Sequence, residues 1–224
     1  MFQKLLKTLG LVLPLLSSAA FAETSGNQFY EVSSSAMTKT QFRSTVATAR
    51  RLFSYLAENN GRRLEFFTDW DSDWAQAFAR RWESDQILIH GGIARIPGGN
   101  VDSLALLICH ELGHLYGGTP YSDSHNSLSA EGQADWWATK ECWPVIAPAL
   151  SSDVDIGGRG QRAALVATAF YAANRGLSAP KVSTPDPSEV GKTLLTHPEP
   201  QCRLDTYVAG LKGQERPRCW WAPE

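Results

Sequence analysis

His110-Glu111-Leu112-Gly113-His114 stands within an apolar stretch of the chain, an H-E-x-x-H arrangement with two imidazoles four positions apart. On a helix, four residues are slightly more than one turn. Both rings then project from one face and can hold one Zn²⁺ at about 2.0–2.1 Å. Glu111 projects beside them toward the open coordination position, where a carboxylate can take a proton from an attacking water and later pass it to a leaving amine. The chemistry these residues predict is metal-assisted hydrolysis. The run Leu104 to Cys109 marks the helix as buried, and there two polar rings and a carboxylate need a partner such as a metal.

A catalytic zinc needs a third protein ligand and an open position. A continuation H-x-x-G-x-x-H is excluded: Gly117 is present, but Pro120 stands where the histidine would be. Asp123 and His125 in the following loop are outside candidates. Glu131 is the stronger one, because it opens the next helix, and Asp135, one turn later on the same face, can hold a ligand histidine through its other nitrogen. Ala134, Trp136 and Trp137 argue that this helix is buried rather than a solvated face. His197 precedes Pro198, which holds it extended; brought over the metal, it could donate to the oxyanion of a tetrahedral intermediate. His90 and His125 are read as structural or exposed.

Glu131-Gly132-Gln133-Ala134-Asp135 after an H-E-x-x-H helix resembles the E-x-x-x-D motif of gluzincin peptidases of the CAAX-prenyl-protease and heat-shock-protease (HtpX-type) family, which includes soluble periplasmic members. Thr196-His197-Pro198 followed by Arg203 is similar to the family's S/T-H-P element, with an arginine six residues after the histidine. The resemblance runs in order from Ile87 to Leu211. It implies a zincin-like metallopeptidase domain of the α+β class, mainly helical, with a small β-sheet beside the H-E-x-x-H helix. It further implies one zinc per chain held by His110, His114 and Glu131, with Glu111 as base and Asp135 behind a ligand. His197 would lie near the metal, and Arg203 would pair with the site carboxylates. The activity so predicted is a zinc endopeptidase of the cell envelope that hydrolyses exported polypeptides. Two other readings stand beside it: a catalytically silent zinc- or protein-binding module, against which the intact Glu111 argues, and a zinc hydrolase acting on peptidoglycan, which would use the same site chemistry.

The elements that must position these residues are legible in outline. Thr38 and Gln41 form a capping box for a helix carrying Phe42, Val46, Ala49, Phe53 and Leu56, stopped by Asn59-Asn60-Gly61. Leu64 to Thr68 reads as a strand. Trp74 to Trp82 reads as a helix with Trp74, Phe78 and Trp82 on one buried side. Gln86 to Ile96 reads as a strand pair or one bent strand that offers an edge to a peptide beside the metal. Asp102 is expected to cap a motif helix from Ser103 to Tyr116, ended by Gly117-Gly118. Further helices are predicted from Ala130 to about Cys142, ended by Pro144, from about Gly160 to Asn174, and from about Pro200 to Leu211.

With 224 residues, 43% of them hydrophobic, the chain can bury one sizeable core, and a single metallopeptidase domain is expected over 38–224. A net charge of -2 without any Lys/Arg block gives no footprint for nucleic acid or an anionic membrane. Lys4 and Lys7, the apolar Leu9 to Leu16, and Ala20-Phe21-Ala22 read as a cleavable signal peptide over 1–22, followed by a flexible mature N-terminus over 23–37. No later segment is apolar enough to span a membrane, so no integral anchor is expected after cleavage and the product is predicted to be periplasmic or secreted. In that compartment Cys109, Cys142, Cys202 and Cys219 are disulfide candidates with three complete pairings. Cys202 with Cys219 closes a short local loop, and Cys109 with Cys142 ties together two predicted helices.

Overall fold

Thr38 caps α1 (Lys39–Glu58) as predicted: its hydroxyl accepts from the Gln41 N–H, and the Gln41 side chain accepts from the Thr38 N–H. The structure, a computed structural model, describes residues 37–223. The predicted signal peptide and nearly all of the predicted flexible N-terminus lie outside the described residues. Met37, assigned to that flexible stretch, is instead buried. Phe42, Val46, Ala49 and Phe53 turn one face of α1 into the core, and Gly61 takes a left-handed φ of 67° after the helix ends.

A three-stranded sheet follows, formed by β1 (Leu64–Asp69), β2 (Ala77–Arg81) and β3 (Asp85–His90) in the order β1-β3-β2. β3 pairs parallel to β1 and antiparallel to β2. Two expectations are corrected here. Trp74 to Trp82 is not a helix, and its aromatics do not face the core: Trp74, Phe78 and Trp82 are 42%, 42% and 68% exposed. A spacing of four residues places side chains on one side of a helix, but it also keeps one parity along a strand, so the pattern could not separate the two. Gln86 to Ile96 is neither a strand pair nor a bent strand. β3 stops at His90 and a 3-10 turn (Gly91–Arg95) follows. At Gly91 the chain runs so close to the Trp70 backbone that a Cβ would stand 2.0 Å from the Trp70 carbonyl oxygen.

The motif helix is α2 (Val101–Tyr116), which packs against α1, β2 and the helices that follow. Its cap is Asn100 rather than Asp102. The Asn100 side chain accepts from the N–H groups of Asp102 and Ser103, and Asp102 instead pairs with Arg159 at 2.6 Å. A short hairpin of β4 (Tyr121–Asp123) and β5 (Leu128–Ser129) leads into α3 (Glu131–Trp137). Pro144 does not end that helix. A π-helical segment (Ala138–Cys142) carries the chain into α4 (Trp143–Leu150), with Pro144 in its first turn, where a missing N–H costs nothing. α5 (Ile156–Asn174) begins four residues earlier than expected, and α6 (Pro200–Leu211) has the predicted bounds. The fold is α+β, with about half of the described residues helical and a small sheet.

Both locally suggested disulfides form. Cys109–Cys142 ties α2 to the π-helical segment across 33 residues, and Cys202–Cys219 binds the C-terminal tail to α6. Cys109 and Cys142 are fully buried. Replacing both by alanine is expected to cost about 2–5 kcal/mol, read from denaturant midpoints under non-reducing conditions. A loss below about 1 kcal/mol would mean that packing alone holds the two segments together.

Candidate metal centre

α2 brings His110, Glu111 and His114 to one face, and all three line a cleft of about 720 Å³. α3 delivers Glu131 to the same point because the two helices touch at Gly113, where a Cβ would stand 2.7 Å from the Ala134 carbonyl oxygen. Any larger residue there would force α3 away. The loop between the helices is tied back at both ends: Gln133 Nε2 donates to the Gly117 carbonyl and the Ala130 N–H to the Pro120 carbonyl.

His110 Nε2 and His114 Nε2 are 3.0 Å apart, and Glu131 Oε2 lies 3.3 Å from the first and 3.6 Å from the second. In a tetrahedral shell with bonds of about 2.0–2.1 Å, ligand atoms stand about 3.3 Å apart. The three atoms therefore fit around one ion, and they form a group able to hold a metal. The proton positions agree with this. His114 Nδ1 faces the Ser129 carbonyl at 2.9 Å and His110 Nδ1 lies 2.7 Å from Asp135 Oδ1, partners that only accept, so each Nδ1 is the nitrogen that keeps a hydrogen and each Nε2 is the one free to face an ion. Two Nε2 atoms 3.0 Å apart need positive charge between them, either a proton or a metal ion. Glu131 Oε2 is itself buried without a well-aligned hydrogen bond.

The surrounding field favours a cation at this point. Burial opposes charge on His110, yet Asp135 and then Glu131 overcome it and lift its pKa to about 10. Glu131 is held well below the usual carboxylate range despite burial, by His114, His110 and His197. Asp135, fully buried, stays ionised because Arg203 donates to both its oxygens at 2.7 Å. Arg203 also reaches within 3.9 Å of Glu131 Oε2. The Glu111 carboxyl is raised by burial, with His110 and His114 pulling the other way.

His197 arrives on a segment tied to the C-terminal tail, where the Leu194 N–H donates to the Trp220 carbonyl and Thr193 Oγ1 to the Ala222 carbonyl. Its Nε2 lies 3.2 Å from Glu131 Oε2, and burial pushes its pKa down to about 4, so it is neutral near pH 7. Its ring stacks on Tyr171 of α5, with centroids 5.5 Å apart and planes at 21°. Tyr171 also lies under the Arg203 guanidinium at 4.9 Å. Sequence reasoning missed Tyr171 and the Ser129 carbonyl: an aromatic among apolar residues of a helix, and a backbone oxygen, carry no local signal.

Of the remaining sequence candidates, Asp123 accepts from Asn126 and from the His125 N–H in a turn, and His125 is exposed. Neither belongs to the group around His110. His90 contacts Ser72 Oγ at 3.1 Å and packs near Trp74 and Phe78. A second cluster, Asp186 with Cys202 and Cys219, offers no thiolate because the two sulfurs are bonded to each other. The edge assigned to β3 is corrected: β3 is the central strand, paired on both sides, and the edge strands are β1 and β2, of which β2 borders the cleft. Residues 75–82, which include all of β2, line the cleft beside α2. Arg81 clamps that edge, donating to the Leu115 and Asn126 carbonyls while its Nε pairs with buried Asp85 at 3.1 Å. Comparison of this chain with protein families, with curated proteins and with solved structures finds no match.

Proposed function

We propose that this chain is a zinc-dependent endopeptidase of a zincin-like, gluzincin type, acting on polypeptides in an exported compartment. The observation that carries the reading is the convergence of His110 Nε2, His114 Nε2 and Glu131 Oε2 within 3.0–3.6 Å, with Glu111 on the same helix face and an unpaired strand edge across the cleft. His110, His114 and Glu131 would hold the ion. Bound there, zinc supplies a Lewis acid that polarises a scissile carbonyl and lowers the pKa of water. The chain's own groups do the rest. β2 can pair with an extended peptide through main-chain hydrogen bonds and present its carbonyl to α2. Glu111 takes the proton of the attacking water and returns it to the leaving amine, a transfer that its burial-raised pKa favours. Asp135 and Arg203 keep His110 oriented from behind. Two disulfides support the oxidising compartment, and no helix among the described residues is long and apolar enough to cross a membrane.

Incubating the protein with unfolded casein is expected to yield fragments, to stop with a strong chelator, and to resume on adding zinc. A zinc-loaded protein that leaves casein and short peptides intact would overturn the reading.

His197, whose Nε2 lies 3.2 Å from Glu131 Oε2 at the mouth of the site, would donate to the oxyanion. His197→Ala is expected to leave zinc content unchanged and to lower kcat by about 10²–10³, or roughly 2.7–4 kcal/mol, with a smaller change in KM. A rise in activity would instead make His197 a latch on the metal, and no change in turnover would leave it a loop residue.

A further inference from the structure

His110 and His114 each have their rear nitrogen held. Asp135 Oδ1 lies 2.7 Å from His110 Nδ1, and the Ser129 carbonyl lies 2.9 Å from His114 Nδ1. A ring held from behind keeps its other nitrogen aimed. His197 has no such hold. Among the described residues no hydrogen bond reaches its Nδ1, and its close polar contact, Nε2 to Glu131 Oε2 at 3.2 Å, is with a carboxylate that a bound ion would claim. Pro198 restricts the backbone of His197 but leaves the imidazole free to turn about χ2, a torsion with broad minima.

What meets that ring is Tyr171 of α5. The two rings stack with centroids 5.5 Å apart and planes at 21°, within the separation that offset aromatic pairs favour. Tyr171 is itself fixed from other directions. The Arg203 guanidinium lies 4.9 Å from its ring centre, and Arg203 is locked onto Asp135 by two hydrogen bonds. Arg175 donates to the Tyr171 hydroxyl at 3.2 Å and pairs with Glu199, just beyond His197, at 3.1 Å. The side chains of that ion pair are 33% and 61% exposed, so it adds little, and the ring contact carries the hold. An unbroken line of contacts thus runs from His110 through Asp135, Arg203 and Tyr171 to His197.

We infer that Tyr171 is a positioning residue, which sets the plane of the His197 ring and so the direction in which its Nε2 points over the site. Its effect on turnover rests on the peptidase reading, because it acts only through His197. A hydrogen bond weakens steeply as the donor swings out of line, and a donor aligned beforehand spares the reaction the cost of ordering it. The ring of Tyr171 does this, since its hydroxyl is engaged by Arg175. An aliphatic side chain of similar bulk would fill the space without imposing a plane.

Zinc-loaded Tyr171→Leu should lose about 3–10-fold in kcat on a model peptide, the factor that a stacked pair is worth, with KM and zinc content within about twofold of wild type. Tyr171→Phe keeps the ring and should recover most of the loss. Added to His197→Ala, Tyr171→Leu should cost nothing further, because the group it positions is gone, and losses that multiply would overturn the inference. A second readout needs no turnover. In the proton–carbon spectrum of zinc-loaded, histidine-labelled protein, the His197 signal is identified among those of the five histidines by its loss in His197→Ala. It should move in Tyr171→Leu, where the neighbouring ring current is lost, and stay close to its wild-type position in Tyr171→Phe. Should Tyr171→Leu misfold, Tyr171→Met removes the ring with an unbranched side chain that suits a helix, and it replaces Leu in both measurements. A His197 signal that stays in place in the ringless variant, or a Tyr171→Phe variant as slow as the ringless one, overturns this inference and leaves the peptidase reading intact. If the wild type cleaves no peptide, the peptidase reading falls, and the ring signal alone decides whether Tyr171 holds His197.

Discussion

Glu111→Gln is expected to lower kcat/KM on casein or a model peptide by about 10²–10⁴, with zinc content and melting temperature unchanged. The amide has nearly the shape of the carboxylate, so the packing around this 5%-exposed side chain survives. It cannot accept the proton of an attacking water. Glu111 lies outside the group of three ligand atoms, so metal binding should not depend on it. Burial raises its carboxyl above the ordinary carboxylate range, so an exposed glutamate at this position would be a weaker base. The measurements are turnover, bound zinc by elemental analysis, and thermal unfolding on the same preparation. Turnover close to wild type with full zinc would remove Glu111 from the mechanism. Loss of zinc would make it a ligand.

The site was more legible than the scaffold, for physical reasons. His110, Glu111 and His114 are neighbours on one helix turn, so their convergence follows from helical geometry alone, and Asp135 follows Glu131 by the same rule. α6 was equally readable, because Pro200 suits its first turn. Apart from the two disulfides, what required the folded chain was how the elements pack on one another. That α3 lies against α2 depends on the absent side chain of Gly113, and that His197 reaches Glu131 depends on a segment sewn to the C-terminal tail by Leu194, Thr193 and the Cys202–Cys219 bond. β2 was misread because a four-residue repeat of aromatics satisfies both helix and strand. Exposed Phe78 and Trp82 make sense beside a cleft, where the rule that large apolar residues lie inside no longer discriminates.

Arg203→Met is expected to destabilise the metal-free protein by about 3–5 kcal/mol, because it leaves Asp135 charged and fully buried without its two-pronged partner. It should also weaken zinc binding by about 10–100-fold. Asp135 carries two duties. One oxygen lies 2.7 Å from His110 Nδ1 and so aims Nε2 at the point where His114 and Glu131 converge, and both oxygens accept from Arg203. Without Arg203 the carboxylate either takes up a proton or draws in water, and in each case its grip on His110 slackens. Arg203→Lys retains the charge but offers a point donor in place of a planar fork, so an intermediate loss is expected in both stability and affinity. Replacing both members, Arg203→Met with Asp135→Leu, separates the two duties. Removing a buried pair together costs far less than stranding one partner, so much of the stability should return. Zinc affinity should not return, because His110 remains unheld. The checks are urea unfolding of metal-free protein and zinc affinity by competition with a chelating dye. Recovery of both quantities in the double variant would show that Asp135 and Arg203 balance only each other and do nothing for the metal ligand in front of them.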